Sequence, residues 1–140
     1  INLLGTNPLI GAHRPEWGER FPDMTEIYTK RLAELLHAGA NRLGLRMMDG
    51  VYAYNSGPAY ETPAEVQAYK AQGADVVGMS TVPEAVFAKA CGMKVAGLSL
   101  VSNLAAGISR RPLAHEEVVA AGHAAKPKMA AFIEDFIARL

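Results

Sequence analysis

Ala74-Asp75-Val76-Val77-Gly78-Met79, followed at once by Ser80-Thr81-Val82-Pro83-Glu84, reads as a short apolar strand running into the start of a helix. The paired valines favour the extended backbone, and proline in a first helical turn is tolerated because its missing N–H would have no partner there. Upstream, Gly73 closes an earlier helix that Thr62-Pro63-Ala64-Glu65 opens with a cap, a first-turn proline and a glutamate three residues on. That helix is expected to run to Gln72. Before it, Val51-Tyr52-Ala53-Tyr54 is rich in strand formers, follows the turn signal Asp49-Gly50, and is broken by Asn55-Ser56-Gly57-Pro58. Downstream, Gly92 is expected to close the second helix and residues 94–101 to form a third buried strand. Strands alternating with helices predict an α/β fold: a twisted, mostly parallel sheet flanked by helices.

The flanks are simpler. The stretch through Pro22 carries Gly5, Pro8, Gly11, Pro15 and Gly18 and reads as loop. Asp23-Met24-Thr25-Glu26 has capping-box spacing. Met24, Ile27, Tyr28, Leu32, Leu35 and Leu36 share one face, so an amphipathic helix is expected from there to about His37, with Gly39 as its stop. Residues 103–114 read as a loop containing Gly107, Arg110, Arg111 and Pro112. A long helix is expected from about His115 to the end, kinked or divided at Pro127.

The chain has 140 residues, enough for one ordinary domain; half are hydrophobic and a fifth charged, as in soluble globular proteins. Fourteen basic residues balance fourteen acidic ones. No broad field therefore attracts nucleic acid or an anionic membrane, and an anionic ligand would rest on local dipoles and a few donors. One cysteine, Cys91, excludes an internal disulfide and fits a reducing, cytoplasmic setting. No apolar run reaches membrane-spanning length. Neither His13, His37 and His123 nor Cys91 has metal-ligand spacing, so no metal is expected. The chain opens on Ile1-Asn2-Leu3-Leu4, like the tail of a strand, which suggests a missing amino-terminal portion.

Three segments carry the chemistry: Gly57-Pro58-Ala59-Tyr60-Glu61-Thr62, Gly78-Met79-Ser80-Thr81-Val82-Pro83-Glu84, and Ser99-Leu100-Val101-Ser102-Asn103. The last two lie where expected strands end, the edge at which open α/β sheets bind ligands. In order and spacing the three resemble the purine nucleoside phosphorylase family of the trimeric, inosine–guanosine type. The likeness extends through Asn7-Pro8-Leu9, Arg20-Phe21-Pro22-Asp23-Met24, His115-Glu116-Glu117-Val118 and Ala120-Ala121-Gly122. It covers nearly the whole chain and corresponds to the carboxyl-terminal half of a family member, so residues 1–140 are expected to be part of a single phosphorylase domain whose amino-terminal half is absent.

The resemblance implies phosphorolysis of 6-oxopurine nucleosides to free purine and ribose 1-phosphate, in purine salvage, with phosphate as co-substrate and no cofactor. It implies that Asn103 is catalytic through purine N7, and that Glu61 accepts from N1–H. Tyr60 would pack on the base and Val77 border its pocket. Met79 would lie under the ribose, Tyr52 and His115 would meet ribose hydroxyls, and Ser80 would donate to phosphate. Ser102 would complete the substrate contacts, at a position where many members carry threonine.

Most of these residues also have a plainer account. Glu61 can be a helix-entry glutamate, Asn103 an Asx turn, and Ser80 a helix cap. Tyr52, Val77 and Met79 can be core, and His115 can be held by Glu116 and Glu117.

Relatives draw most of their phosphate site from the other half, and Arg110 and Arg111 lack a phosphate-cradling glycine pattern. The isolated chain is therefore expected to be inactive or feeble, and the complete enzyme a homotrimer. The aromatic residue that a neighbouring subunit contributes in relatives has no counterpart at Leu4-Gly5-Thr6; Arg14 to Arg20, with Trp17, are an alternative interface. A xanthosine-preferring enzyme, a methylthioadenosine phosphorylase and a non-catalytic purine-binding fragment are the other readings. Glu61 with Asn103 argues against the second.

Overall fold

The computed structural model describes every residue except Leu4, Arg110 and Arg111. The readings placed on those three, the loop arginines included, lie outside the described residues. The elements are a single 3-10 turn at Pro15–Trp17, α1 (Lys30–Arg42), β1 (Tyr52–Tyr54), α2 (Pro63–Ala71), β2 (Val76–Gly78), α3 (Val82–Ala90) and α4 (His115–Ile137). They divide between two compact units. One comprises Ile1–Glu34, Gly50–Gly57 and Ala74–Leu98, the other Leu35–Asp49, Pro58–Gly73 and Ser99–Leu140.

The first unit is built on β1. It pairs in parallel with β2, Tyr52 opposite Val76 and Tyr54 opposite Gly78. Along its other edge Asn2 bridges Tyr54, also in parallel. Parallel pairing of segments so far apart in the chain is the α/β arrangement expected from the sequence. Asp75 fixes where β1 begins: its Oδ2 accepts the Val51 N–H at 2.8 Å. Ala53 is fully buried, and α3 packs against β1 with Val82, Ala85, Val86 and Ala90 turned inward. The edge of Trp17 meets Phe87 of α3 at 5.8 Å between ring centres.

In the second unit Leu36 and Ala40 of α1 enclose Phe132 of α4, the largest fully buried side chain. Asp135 of α4 accepts from Arg42 of α1 at 2.5 Å and from Arg139, one turn on, at 3.0 Å.

Four local expectations need correction. The first helix starts at Lys30, not Met24. Asp23 spends its carboxylate on a turn, accepting from the N–H and hydroxyl of Thr25, and it is Glu26 that takes the Lys30 N–H. Gly39 does not end that helix. It lies inside it, where a β-carbon would press on the Phe132 ring; Gly44, at φ +62°, follows the true end.

Residues 94–101 do not form a buried strand. The described backbone pairs there only with Thr29, whose N–H donates to Val95 O at 2.8 Å and whose hydroxyl accepts from Val95 N–H at 3.3 Å. Leu98, Leu100 and Val101 are exposed. Strand character requires a ladder of partners, which a run of suitable residues cannot supply by itself. Finally, of the two outcomes expected at Pro127, division does not occur: α4 continues through it as one helix. Pro127 is exposed, so solvent can take up the carbonyl that loses its intrahelical bond.

Candidate functional site

The expected site residues fall in both units. Tyr52, Val77, Met79 and Ser80 belong to the first, and Tyr60, Glu61, Ser102, Asn103 and His115 to the second.

In the first unit, β2 hands the chain to α3 through Met79, Ser80 and Thr81. Tyr52, at the start of β1, sends its ring along the sheet so that its hydroxyl oxygen accepts the Ser80 N–H at 3.4 Å. The phenol retains its own proton for a second acceptor. Gly78 makes this possible, since a β-carbon there would collide with the Tyr52 hydroxyl. Tyr28 lies near this ring: burial first, and the Tyr52 phenol second, hold the Tyr28 hydroxyl above its ordinary pKa of 10.0. Met79 is exposed and packs over Gly57, where φ is +63° and a β-carbon would strike the Met79 sulfur. Val77 is half-buried in β2.

Ser80 is exposed, and its hydroxyl meets that of Thr81 at 3.0 Å. Ser80 is not the cap of α3. The capping position is Thr81, and its side chain makes no capping hydrogen bond. The loop therefore presents a hydroxyl and an uncapped helix start together, an arrangement suited to an anion.

In the second unit, α2 opens with a full capping box. The Thr62 hydroxyl accepts the Glu65 N–H at 3.3 Å, and the Glu65 carboxylate accepts the Thr62 N–H at 2.7 Å. The Thr62 N–H first, and then the Thr62 hydroxyl, which donates to the same carboxylate at 2.8 Å, hold the Glu65 carboxyl below its ordinary value of 4.5. The cap matters because the preceding residue is Glu61, 7% exposed and the buried acidic residue of the described core. Tyr69, two turns along α2, senses this region. Burial first, then the carboxylates of Glu65 and Glu61, raise its phenol above 10.0. Tyr60, next to Glu61, is 40% exposed, so its ring is available as a stacking surface.

The segment carrying Ser102 and Asn103 meets the same helix start. Gly107 lies against Pro63, where a β-carbon would come within 2.8 Å of the proline ring. Ser102 and Asn103 are half-buried, and the Asn103 amide donates to Ser102 Oγ at 3.0 Å. The serine thus orients the amide. His115 is exposed as the first residue of α4, and among the described residues no ion pair joins it to Glu116 or Glu117.

Sequence reasoning missed three supports: Asp75 under β1, Tyr69 beside Glu61, and Thr81, whose backbone lies at φ +78°. Only Asp75 left a readable signal, an acidic residue just ahead of an apolar strand. Among the described residues, no group of three His, Cys, Asp or Glu is placed to hold a metal ion, and no helix is long and apolar enough to cross a membrane.

Known proteins resemble this chain in sequence and in fold. Purine nucleoside phosphorylase 1 of Geobacillus stearothermophilus is 49% identical over 137 residues, which are 98% of this chain and 50% of that protein. Two solved structures of Schistosoma mansoni purine nucleoside phosphorylase superpose with a TM-score of 0.95 at 39% identity. One is a complex with inosine and the other a complex with adenosine; each is covered to 52% and 53% of its length, respectively, by the whole of this chain. The chain therefore spans about half the length of the relatives it matches. The phosphorylase superfamily model matches residues 1–138, and the chain belongs to that superfamily.

Proposed function

We propose that this chain supplies the base-recognising part of a cytoplasmic enzyme that cleaves inosine and guanosine with inorganic phosphate, the chain being the carboxyl-terminal portion of a homotrimeric protein of purine salvage. The observation that carries the reading is the buried carboxylate of Glu61 at the capped entry to α2, with the Ser102–Asn103 segment tied to the same helix start through Gly107 and Pro63.

Phosphorolysis breaks the bond from ribose C1′ to purine N9 and forms a bond from C1′ to a phosphate oxygen. The bonding pair leaves with the purine, so positive charge develops on the sugar and negative charge on the base. A carboxylate at position 61 accepts N1–H of hypoxanthine or guanine, and the 2-amino group of guanine as well. Charge-assisted bonds of this type contribute about 1.5–3 kcal/mol each. Adenine offers N1 as an acceptor, leaving a buried carboxylate facing a lone pair, a mismatch on the order of 10⁴-fold in selectivity.

The Asn103 amide, oriented by Ser102, donates to N7 as the purine becomes anionic. Ser80 donates to phosphate beside the start of α3. Tyr60 stacks on the base, Val77 borders its pocket and Met79 lies under the ribose. The Tyr52 hydroxyl and His115 meet ribose hydroxyls. Apart from phosphate, the chemistry calls for no cofactor.

The test is phosphate-dependent cleavage by the whole protein of inosine, guanosine, xanthosine and adenosine, the last included because a relative is solved with it. Asn103→Ala should lower kcat by about 10²–10³-fold, the effect of removing one transition-state donor. Glu61→Ala should erase the preference for guanosine over adenosine. An Asn103→Ala enzyme running at full rate, or Glu61→Ala with unchanged discrimination, overturns the assignment. Guanine binding without turnover by the unsubstituted whole protein would establish a non-catalytic purine binder instead.

A further inference from the structure

Two helices in this chain begin with similar words, Thr62-Pro63-Ala64-Glu65 and Thr81-Val82-Pro83-Glu84, and fold differently. At α2, Thr62 adopts the ordinary extended backbone, φ −72° and ψ 158°, and its hydroxyl caps the helix. At α3, Thr81 has φ +78° and ψ −51°, the only positive φ outside glycine among the described residues. The Val82 N–H closes back on Ser80 O at 2.9 Å, making Thr81 the centre of a γ-turn of the rare, strained hand. A β-branched residue is among the worst suited to that region.

The capping role is given up as well. The Thr81 hydroxyl turns away from the first turn of α3 and meets Ser80 Oγ at 3.0 Å, while the Ser80 N–H is taken by Tyr52. Strain of this kind persists only where the surroundings over-determine it. Here Tyr52, the buried Val82 and the last ladder residue Gly78 hold both ends of the turn.

We infer that Thr81 is a positioning residue for phosphate: its γ-turn keeps the first turn of α3 uncapped and its hydroxyl holds the Ser80 hydroxyl toward the anion. The inference rests on the phosphorolytic reading above. It adds to that reading a residue which itself touches neither base nor sugar, and it explains why a local rule obeyed at residue 62 is broken at residue 81.

The experiment compares Thr81→Gly, Thr81→Val and Thr81→Ser with the unsubstituted whole protein, measuring the KM for phosphate, the KM for inosine, kcat and the thermal midpoint. Thr81→Gly removes the backbone strain and should raise the midpoint by about 2–5 °C while raising the phosphate KM at least about fivefold. Thr81→Val keeps the branched shape without the hydroxyl and should raise the phosphate KM about 3–10-fold, the range of one neutral hydrogen bond. Thr81→Ser should restore the phosphate KM to within about twofold of the unsubstituted value. The inosine KM should stay nearly constant throughout, a split that loss of folding would not produce.

An unchanged phosphate KM in Thr81→Gly and Thr81→Val, or a midpoint that falls in Thr81→Gly, overturns the inference while leaving phosphorolysis intact. If the unsubstituted protein cleaves no nucleoside with phosphate, the functional reading falls, and this inference with it.

Discussion

Replacing Gly78 by alanine should couple stability to one distant side chain, Tyr52. Gly78 ends β2 opposite Tyr54, and its carbonyl accepts the Asn55 N–H at 3.0 Å, so its backbone cannot retreat without breaking the β1–β2 ladder. A β-carbon at this position would overlap the Tyr52 hydroxyl oxygen and lie 2.9 Å from the ring carbon that bears it. Either the ring leaves its rotamer or the strands part, an overpacking penalty of about 1–3 kcal/mol. Moving the ring also forfeits the Ser80 N–H bond, which at 3.4 Å belongs at the weak end, roughly 0.5 kcal/mol. Against this, alanine restricts the unfolded chain and returns about 0.4–1 kcal/mol. The net expectation is a loss of about 1–3 kcal/mol. Urea unfolding of Gly78→Ala, Tyr52→Leu and the double variant measures it. With the tyrosine hydroxyl and ring removed, the alanine should cost almost nothing, giving a coupling energy of about 1–3 kcal/mol. Additivity within about 0.5 kcal/mol would refute the argument, because the penalty would then not arise at Tyr52.

Phe132→Ala should destabilise the second unit by about 3–5 kcal/mol, since the ring is 1% exposed and Leu36, Gly39 and Ala40 are held around it by one regular helix, α1, which cannot collapse into the void; a loss under about 1 kcal/mol in denaturant unfolding would mean that the cluster is not a core. Arg42 first, with Arg139, holds the Asp135 carboxyl below its ordinary value of 3.8. A carboxyl depressed by folding adds stability above the unfolded pKa and loses it as pH falls through the folded one, so this contribution is complete above about pH 5 and fades as pH falls below 3.8 toward the lowered folded value. Asp135→Asn should therefore lower the thermal midpoint at neutral pH, by an amount that shrinks as the pH is taken down through the acid range; parallel midpoint curves across that span would contradict the ion pair.

What the sequence could reveal depended on how far each residue's partners lay along the chain. The capping box at Thr62 and Glu65 was readable because its whole logic fits within four residues, and the structure shows both of its bonds. The β1 and β2 strands were readable for a related reason: residues 51–54 and 74–79 carry strand-forming side chains between strong turn signals, and each finds a ladder. Residues 94–101 are likewise apolar and form none, so composition measured suitability for pairing and not the presence of a neighbour. Gly39 misled because a glycine near the end of an apolar pattern usually marks a stop, whereas here its bareness answers to Phe132, more than ninety positions away.

Thr81 is the hardest case. Its neighbours spell an ordinary helix start, and nothing within four residues announces a positive φ. The cause lies in Tyr52, which takes the Ser80 N–H, and in the ladder that pins Gly78. Local rules place the cap of α2 and miss both ends of α1. They fail again at the turn where the chain holds an exposed hydroxyl beside an open helix end, and a turn that departs from the cheaper geometry used at Thr62 must be held there by the surrounding structure.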